Sequence, residues 1–118
     1  LTRSSAASDV YKRQDEGQRL LRHCPDNIPL VACDPRGRDT SSEAMAKLLA
    51  RWRDTGMASA CFAIGGADGH SQELLERAEA RIAFGSATWP HMLFRAMLAE
   101  QLYRATMILA GHPYHRGN

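Results

Sequence analysis

The length, composition and charge of the chain limit the classes of protein to which it can belong. At 118 residues it is long enough to form one domain with its own core. Its longest apolar stretch, residues 92–109, contains Arg95, Glu100 and Arg104, whereas a membrane span needs about 20 nearly uncharged residues. The net charge of +2 is carried by residues 1–14, and the rest has 12 basic and 12 acidic side chains. These features exclude a membrane span and nucleic-acid binding by global charge alone.

The first 14 residues look different from the rest. They show no sustained hydrophobic period, and residues 4–14 are similar to translated sequencing-adapter sequence. We expect residues 1–14 to be a non-native or disordered leader, and residues 15–118 to form the folded domain.

The first half of the chain predicts two helices and two strands. A helix ends near Cys24, and a continuous apolar run at residues 28–33 predicts a buried strand. Residues 34–38 predict a turn, whose Arg36 and Arg38 could face an anionic ligand, although a solvated turn is the more common explanation. Thr40 with Glu43 fits a capping box in which Thr40 caps a helix that ends at Gly56. A second buried strand is predicted at residues 58–64.

The second half repeats this alternation. Ser71 is expected to cap a helix to about residue 81, followed by a strand at residues 81–84 and a long helix from Pro90 to about Ala110. Apolar strands alternating with helices predict an α/β fold with a parallel sheet covered on both faces. Because the last helix is apolar on most faces, we also expect a subunit interface and a homodimer.

Ligands of open parallel sheets bind beyond the carboxyl ends of the strands. This rule places the candidate site at the loops that begin at Cys33, Gly65 and Phe84. The run Gly65-Gly66-Ala67-Asp68-Gly69 fits neither a dinucleotide fingerprint nor a phosphate loop, so a structural turn and a cofactor loop are equally compatible with it.

The cysteines and histidines do not predict a metal site. The three cysteines have no CxxC spacing, and their odd number without a visible signal peptide indicates a reducing, cytoplasmic setting. His112 and His115 could pair with His91, but no carboxylate lies at a ligand-like spacing nearby.

Four runs in the second half carry a resemblance to a known family. They are residues 63–69 (AIGGADG), 87–95 (ATWPHMLFR), 98–105 (LAEQLYRA) and 112–116 (HPYHR). In these runs the chain resembles the RlmH family of SPOUT-class methyltransferases, and the resemblance covers about residues 15–118. It implies a SPOUT α/β-knot fold with a C-terminal trefoil knot, S-adenosylmethionine as methyl donor, and a homodimer. The implied substrate is N3 of a pseudouridine in 23S ribosomal RNA of the large ribosomal subunit.

The resemblance also implies roles for individual residues. The donor-binding positions of the family fall on Cys33, Gly65, Phe84, Gly85, Ser86, Ala87, Thr88 and Trp89. His115 and Arg116 in the C-terminal run are the implied catalytic residues, Arg116 to orient RNA or stabilise an imide anion and a histidine to accept the imide proton.

The sequence departs from the family at two places. Cys33 stands where the family usually has leucine, and the first strand and helix of the family have no counterpart, so we expect an N-terminally truncated domain. Two alternatives to an active enzyme therefore remain open: a non-catalytic SPOUT-like dimer that binds RNA or an adenosine ligand, and a structural dimerisation domain.

Overall fold

Helices and strands alternate along the chain in the computed structural model, which describes residues 6–65 and 69–115. The elements are α1 (Ala6–Arg22), β1 (Leu30–Asp39), α2 (Ser42–Asp54), β2 (Cys61–Ile64), α3 (Gln72–Arg77), β3 (Ala80–Ala83) and α4 (His91–Leu109). This order confirms the alternation that the sequence predicts. None of the described helices combines the length and apolarity needed to cross a membrane.

The three described strands form one parallel sheet in the order β2-β1-β3. Along β1, Val31 is paired with Phe62 of β2 on one side and with Ala80 of β3 on the other. The central strand is therefore β1, and the carboxyl ends of all three strands lie at the same edge of the sheet. The predicted α/β class and parallel sheet are confirmed.

Successive residues of β1 point to opposite faces of the sheet, and both faces are buried. Val31 and Cys33 pack with α2 and α4, in a core that includes Met45 and Phe94. Leu30 and Ala32 pack in a second core, whose other buried members are Cys24, Ala63, Leu74 and Leu75. Because neither face meets water, β1 begins as a continuous apolar run rather than an alternating one.

The prediction that residues 34–38 form a turn after the strand is wrong, because these residues lie within β1. Cys33 and Arg38 both pair with Ile82 of β3, so the chain leaves the ladder after Cys33, returns at Arg38 and continues to Asp39. Residues 34–37 thus form a bulge within β1. Gly37 lies against β3, where an added Cβ would come within 2.7 Å of the backbone carbon of Arg81.

The helix caps agree with the sequence in two cases and differ in one. Ser71 caps α3 by accepting the Leu74 amide at 3.2 Å, and Gly56 after α2 has a φ of 81°. The prediction that Thr40 caps α2 is wrong: Ser41 is the N-cap and accepts the Ala44 amide at 3.1 Å. The Thr40 amide donates instead to the Ala83 oxygen, because β1 extends to Asp39 beside β3.

The first helix begins earlier than predicted. It starts at Ala6, inside the segment expected to be a leader, and ends at Arg22. No proline or glycine interrupts the chain between Ala6 and Gly17, which lets the helix extend upstream of residue 15. Gly17 lies against Ser71, so this helix packs beside α3. The division of the chain at residue 15 stays a prediction.

Candidate functional site

A cavity lies at the carboxyl edge of the sheet. Its volume is about 710 Å³, and ligand pockets typically occupy about 300–1,000 Å³. It is lined by residues of the β1 bulge and of the segments that follow β2 and β3, including those at Cys33, Gly65 and Phe84. The three loops chosen from the sequence therefore meet in one place.

Of the eight residues predicted to bind the methyl donor, seven line this cavity. They are Cys33, Gly65, Phe84, Gly85, Ala87, Thr88 and Trp89. Ser86 is not among the described lining residues, although it lies between two of them. The arrangement brings the predicted set together, and its role in donor binding stays a prediction.

The loop after β3 is held by three contacts. Gly85 has a φ of 82°, a left-handed conformation that favours glycine, and its amide donates to Asp39 Oδ1 at 2.9 Å. The Trp89 indole donates to the Phe84 oxygen at 2.8 Å. Phe84 also stacks on Phe94 of α4, with ring centroids 5.0 Å apart. The loop between β3 and α4 is thus held by a hydrogen bond between its two ends, and its first residue packs on the core.

The sequence did not single out Asp34, which lies with Arg36 in the β1 bulge, within the segment predicted as a turn. Asp34 is buried and accepts the Arg36 amide at 2.9 Å, and its two carboxylate oxygens lie 3.4 Å from the Arg36 guanidinium. Burial alone would raise the pKa of Asp34, but the Arg36 hydrogen bonds, with a smaller contribution from His70, lower the pKa of this carboxyl below its ordinary value. Asp34 therefore remains charged and orients Arg36 at the cavity.

His70 is a second residue that the sequence did not single out. It is buried, it lines the cavity, and its Nε2 lies 3.0 Å from the Cys33 oxygen. A Cβ on Gly65 would come within 3.2 Å of the same ring. His70 thus connects the residue before the β1 bulge to the segment that follows β2. A histidine after a glycine-rich loop was the available signal, but its partner is 37 residues away in sequence.

Cys33 provides packing rather than a reactive thiolate. Burial raises the pKa of its thiol to about 12, so the group remains protonated at neutral pH. This agrees with the sequence interpretation of Cys33 as a small buried hydrophobe. Among the described residues, no group of three or more histidines, cysteines or carboxylates could hold a metal ion.

The C-terminal run lies apart from the cavity lining. His115 Nε2 is 3.1 Å from Glu43 Oε2, and His115 Nδ1 is 3.4 Å from a guanidinium nitrogen of Arg104. Tyr114 donates to Glu100 at 3.0 Å, and this hydrogen bond raises the pKa of the Tyr114 phenol. His115 is not among the described residues that line the cavity, and Arg116 lies outside the described residues. The structure therefore does not bring the predicted catalytic histidine to the donor-binding residues of the same chain.

The cavity suits a ligand with both apolar and polar parts. Ile64, Phe84 and Phe94 supply apolar surface, while Thr88 and the backbone of the two glycine-containing loops supply polar groups. Glycine at positions 65 and 85 lets a ligand approach the backbone closely.

The fold and cavity define an α/β protein with a candidate ligand site at the carboxyl edge of a parallel sheet. A family model described as "Predicted SPOUT methyltransferase" matches residues 2–115. The chain belongs to the SPOUT methyltransferase family, so it is a methyltransferase that uses a methyl-donor cofactor.

Proteins named "Ribosomal RNA large subunit methyltransferase H" are similar to this chain. The protein of Nitrobacter hamburgensis is 51% identical over 114 residues, which cover 96% of this chain and 71% of the relative. The Nitrobacter winogradskyi protein is 53% identical over 114 residues, covering 96% and 71%. The Rhodospirillum centenum protein is 53% identical over 114 residues, covering 97% and 74%.

Proposed function

We propose that the protein transfers a methyl group from S-adenosylmethionine to N3 of a pseudouridine in 23S ribosomal RNA of the large ribosomal subunit. The observation that carries this proposal is the meeting of Cys33, Gly65 and the 84–89 loop at one cavity. The SPOUT family and the name of the relatives support methyl transfer and the ribosomal substrate. Such an enzyme works where ribosomes are assembled, which in a bacterium is the cytoplasm.

The donor supplies an electrophilic methyl group on a sulfonium. The residues of this chain hold and align it: the glycine loops approach through their backbones, while Ile64 and Phe84 provide apolar surface. Alignment of two reactants contributes much of the acceleration in such transfers, because the enzyme removes the entropic cost of bringing them together. The C-terminal trefoil knot of the family, which would confine the 84–89 loop, is part of this proposal.

We propose a homodimer in which the C-terminal run of one copy, residues 112–116 (the tail), reaches the cavity of the other copy. Large apolar side chains are exposed along α4 and just before it, at Trp89, Met92, Leu93, Tyr103 and Leu109. A group of exposed large apolar side chains on one helix supports a protein–protein interface there. The separation of His115 from the cavity of its own chain supports delivery of the tail in trans.

Two roles are proposed for the tail. Arg116 orients RNA or stabilises the imide anion that forms when N3 loses its proton. His115 is the candidate acceptor of that proton, but its Nδ1 already faces the Arg104 guanidinium. A proton can bind Nδ1 only if this contact breaks. In the simplest mechanism, therefore, the tail orients the RNA and accepts no proton.

The test is methyl transfer to purified large-subunit ribosomal RNA and to the ribosomal particle that contains it. Transfer from radiolabelled S-adenosylmethionine should depend on enzyme, and mass spectrometry of the digested RNA should find N3-methylpseudouridine. A matched RNA with uridine at the modified position serves as the control.

Two other outcomes correspond to the alternatives. Donor binding without transfer to either substrate would contradict catalysis and indicate a ligand-binding module. Absence of donor binding by a folded dimer would indicate a structural dimerisation domain. Transfer to the uridine control at the same rate would contradict the pseudouridine assignment.

A further inference from the structure

A second cavity adjoins the candidate donor site on the side of α1 and α3. Its volume is about 420 Å³, and it shares Arg13, Asp34, Arg36 and His70 with the larger cavity. The 84–89 loop and Cys33, which dominate the larger cavity, are absent from its described lining. Polar groups therefore line a site directly beside the one where the donor is proposed to bind.

The β1 bulge is the reason that this side cavity is basic. Gly37 packs against the backbone of Arg81, where an added Cβ would be 2.7 Å from the carbonyl carbon. This close approach holds Arg36 of the bulge near the exposed Arg81 of β3, and both side chains line the side cavity. On β3, Ile82 points into the core with α2 and α4, so alternation directs Arg81 to the opposite face.

Outside the predicted leader, two arginines, Arg36 and Arg81, line the side cavity together with one carboxylate, Asp34. Asp34 contacts the Arg36 guanidinium through Nε and one terminal nitrogen, while the Arg36 side chain remains 79% exposed. Arg36 is thus oriented and still open to solvent. The planar guanidinium of arginine matches the geometry of phosphate oxygens.

We infer that Arg36 and Arg81 bind a backbone phosphodiester of the substrate RNA, next to the nucleotide that is methylated. This inference rests on the proposed function, because an RNA substrate has to lie across the mouth of the donor cavity. Contacts of this type position a nucleic acid without reading its sequence. The site would hold the RNA in register while the donor occupies the larger cavity.

The test compares Arg81→Gln and Arg36→Gln with Arg51→Gln, which removes the same charge from an exposed position on α2 that lines neither cavity. Binding of a fluorescein-labelled fragment of large-subunit ribosomal RNA is measured against salt concentration. Each cavity variant should lower the slope of log affinity against log salt by about one, the effect of one lost phosphate contact. Arg51→Gln should leave the slope unchanged, and Arg36→Lys should recover part of it.

Calorimetric titration with S-adenosylmethionine separates this inference from the proposed function. Arg81→Gln is the variant for this comparison, because Arg81 lines the side cavity and is absent from the described lining of the donor cavity. Intact donor affinity of Arg81→Gln with a reduced RNA salt slope supports the phosphate site, whereas a loss of its donor affinity would overturn the inference and assign Arg81 to the donor. Equal salt slopes for the cavity variants and Arg51→Gln would also overturn the inference. So would cavity variants that bind inorganic phosphate more weakly than the parent but bind the RNA equally well. If the parent does not bind the donor but the slope still depends on Arg81, the proposed function fails and the phosphate site stands.

Discussion

The Nε2 atom of His70 lies 3.0 Å from the backbone oxygen of Cys33, which joins the segment after β2 to the point in β1 where the bulge begins. Both groups are buried, and the ring also contacts the space that a side chain on Gly65 would fill. Two of the three loops around the candidate donor cavity therefore depend on one imidazole for their relative position.

His70→Ala should weaken both the fold and donor binding. Removing the ring leaves the buried Cys33 oxygen without this partner, which costs about 1–3 kcal/mol in the free energy of unfolding. Urea denaturation measures that loss, and calorimetry with S-adenosylmethionine should show lower affinity. His70→Gln should recover part of both values, while His23→Ala at an exposed position should change neither. An unchanged donor affinity for His70→Ala would contradict the positioning role.

Gly65→Val should abolish binding of S-adenosylmethionine. Even a Cβ at this position would approach the His70 ring to 3.2 Å, and the two further methyl groups would extend into the cavity. Calorimetric titration measures the affinity, and circular dichroism checks that the variant folds. Ala58→Val, which adds two methyl groups at an exposed position, is the control. Equal affinity of Gly65→Val and parent would exclude the donor from this loop.

Asp34→Asn should lower stability in a pH-dependent way. The folded-state pKa of Asp34 is depressed, so its contribution is fully present above the unfolded value near 3.8 and is lost as pH falls through the lower folded value. Hydrogen bonds to a charged group contribute about 1.5–3 kcal/mol, and we expect the lower end because Arg36 is exposed. The loss in Asp34→Asn should be seen at pH 7, and carbon NMR of the parent should give a carboxyl pKa below 3.8. A titration at or above 3.8 would contradict the pairing with Arg36.

The proposed dimer is tested at Met92 on α4. Met92 is 71% exposed in one chain, and Met92→Glu should place a charge without a partner inside the interface. Light scattering at micromolar concentration should give a dimer for the parent and a monomer for the variant. Met57→Glu, at a position that is 42% exposed and outside α4, should remain dimeric. Leu102→Glu is less informative because Leu102 packs on the core of its own chain.

A monomeric parent would refute the dimer. An interface elsewhere would be indicated if Met57→Glu, rather than Met92→Glu, dissociated the protein.

Deletion of residues 114–118 should separate donor binding from catalysis. The described lining of the donor cavity contains none of these residues, so S-adenosylmethionine affinity should be nearly unchanged. Methyl transfer to ribosomal RNA should be lost, because the deletion removes His115 and Arg116. Single-turnover assays with saturating donor measure this. Glu43→Gln, which keeps the tail but weakens its contact with His115, is the control for tail placement.

Transfer by the deletion variant as fast as by the parent would show that the tail has no catalytic part. Lower donor affinity in the deletion variant would place the tail against the donor instead.

The sequence by itself determined the alternation of elements and the edge of the sheet where the candidate site lies. Those features depend on local patterns: a continuous apolar run at Val31 and Ala32 predicts a strand buried on both faces, and Ser71 before an apolar helix predicts a cap. The loops at Cys33, Gly65 and Phe84 followed from the rule that ligands bind at the carboxyl ends of parallel strands.

The tertiary structure alone decided which residues meet around those loops. Ser41 rather than Thr40 caps α2 because the Thr40 amide is taken by Ala83 of β3, a partner that no local pattern reveals. The bulge at Asp34 and Arg36 exists because β1 pairs with Ile82 twice. The contacts of His70 with Cys33 and of His115 with Glu43 join segments 37 and 72 residues apart. Such contacts are set by how helices and strands pack in space, and hydrophobic periodicity carries no information about them.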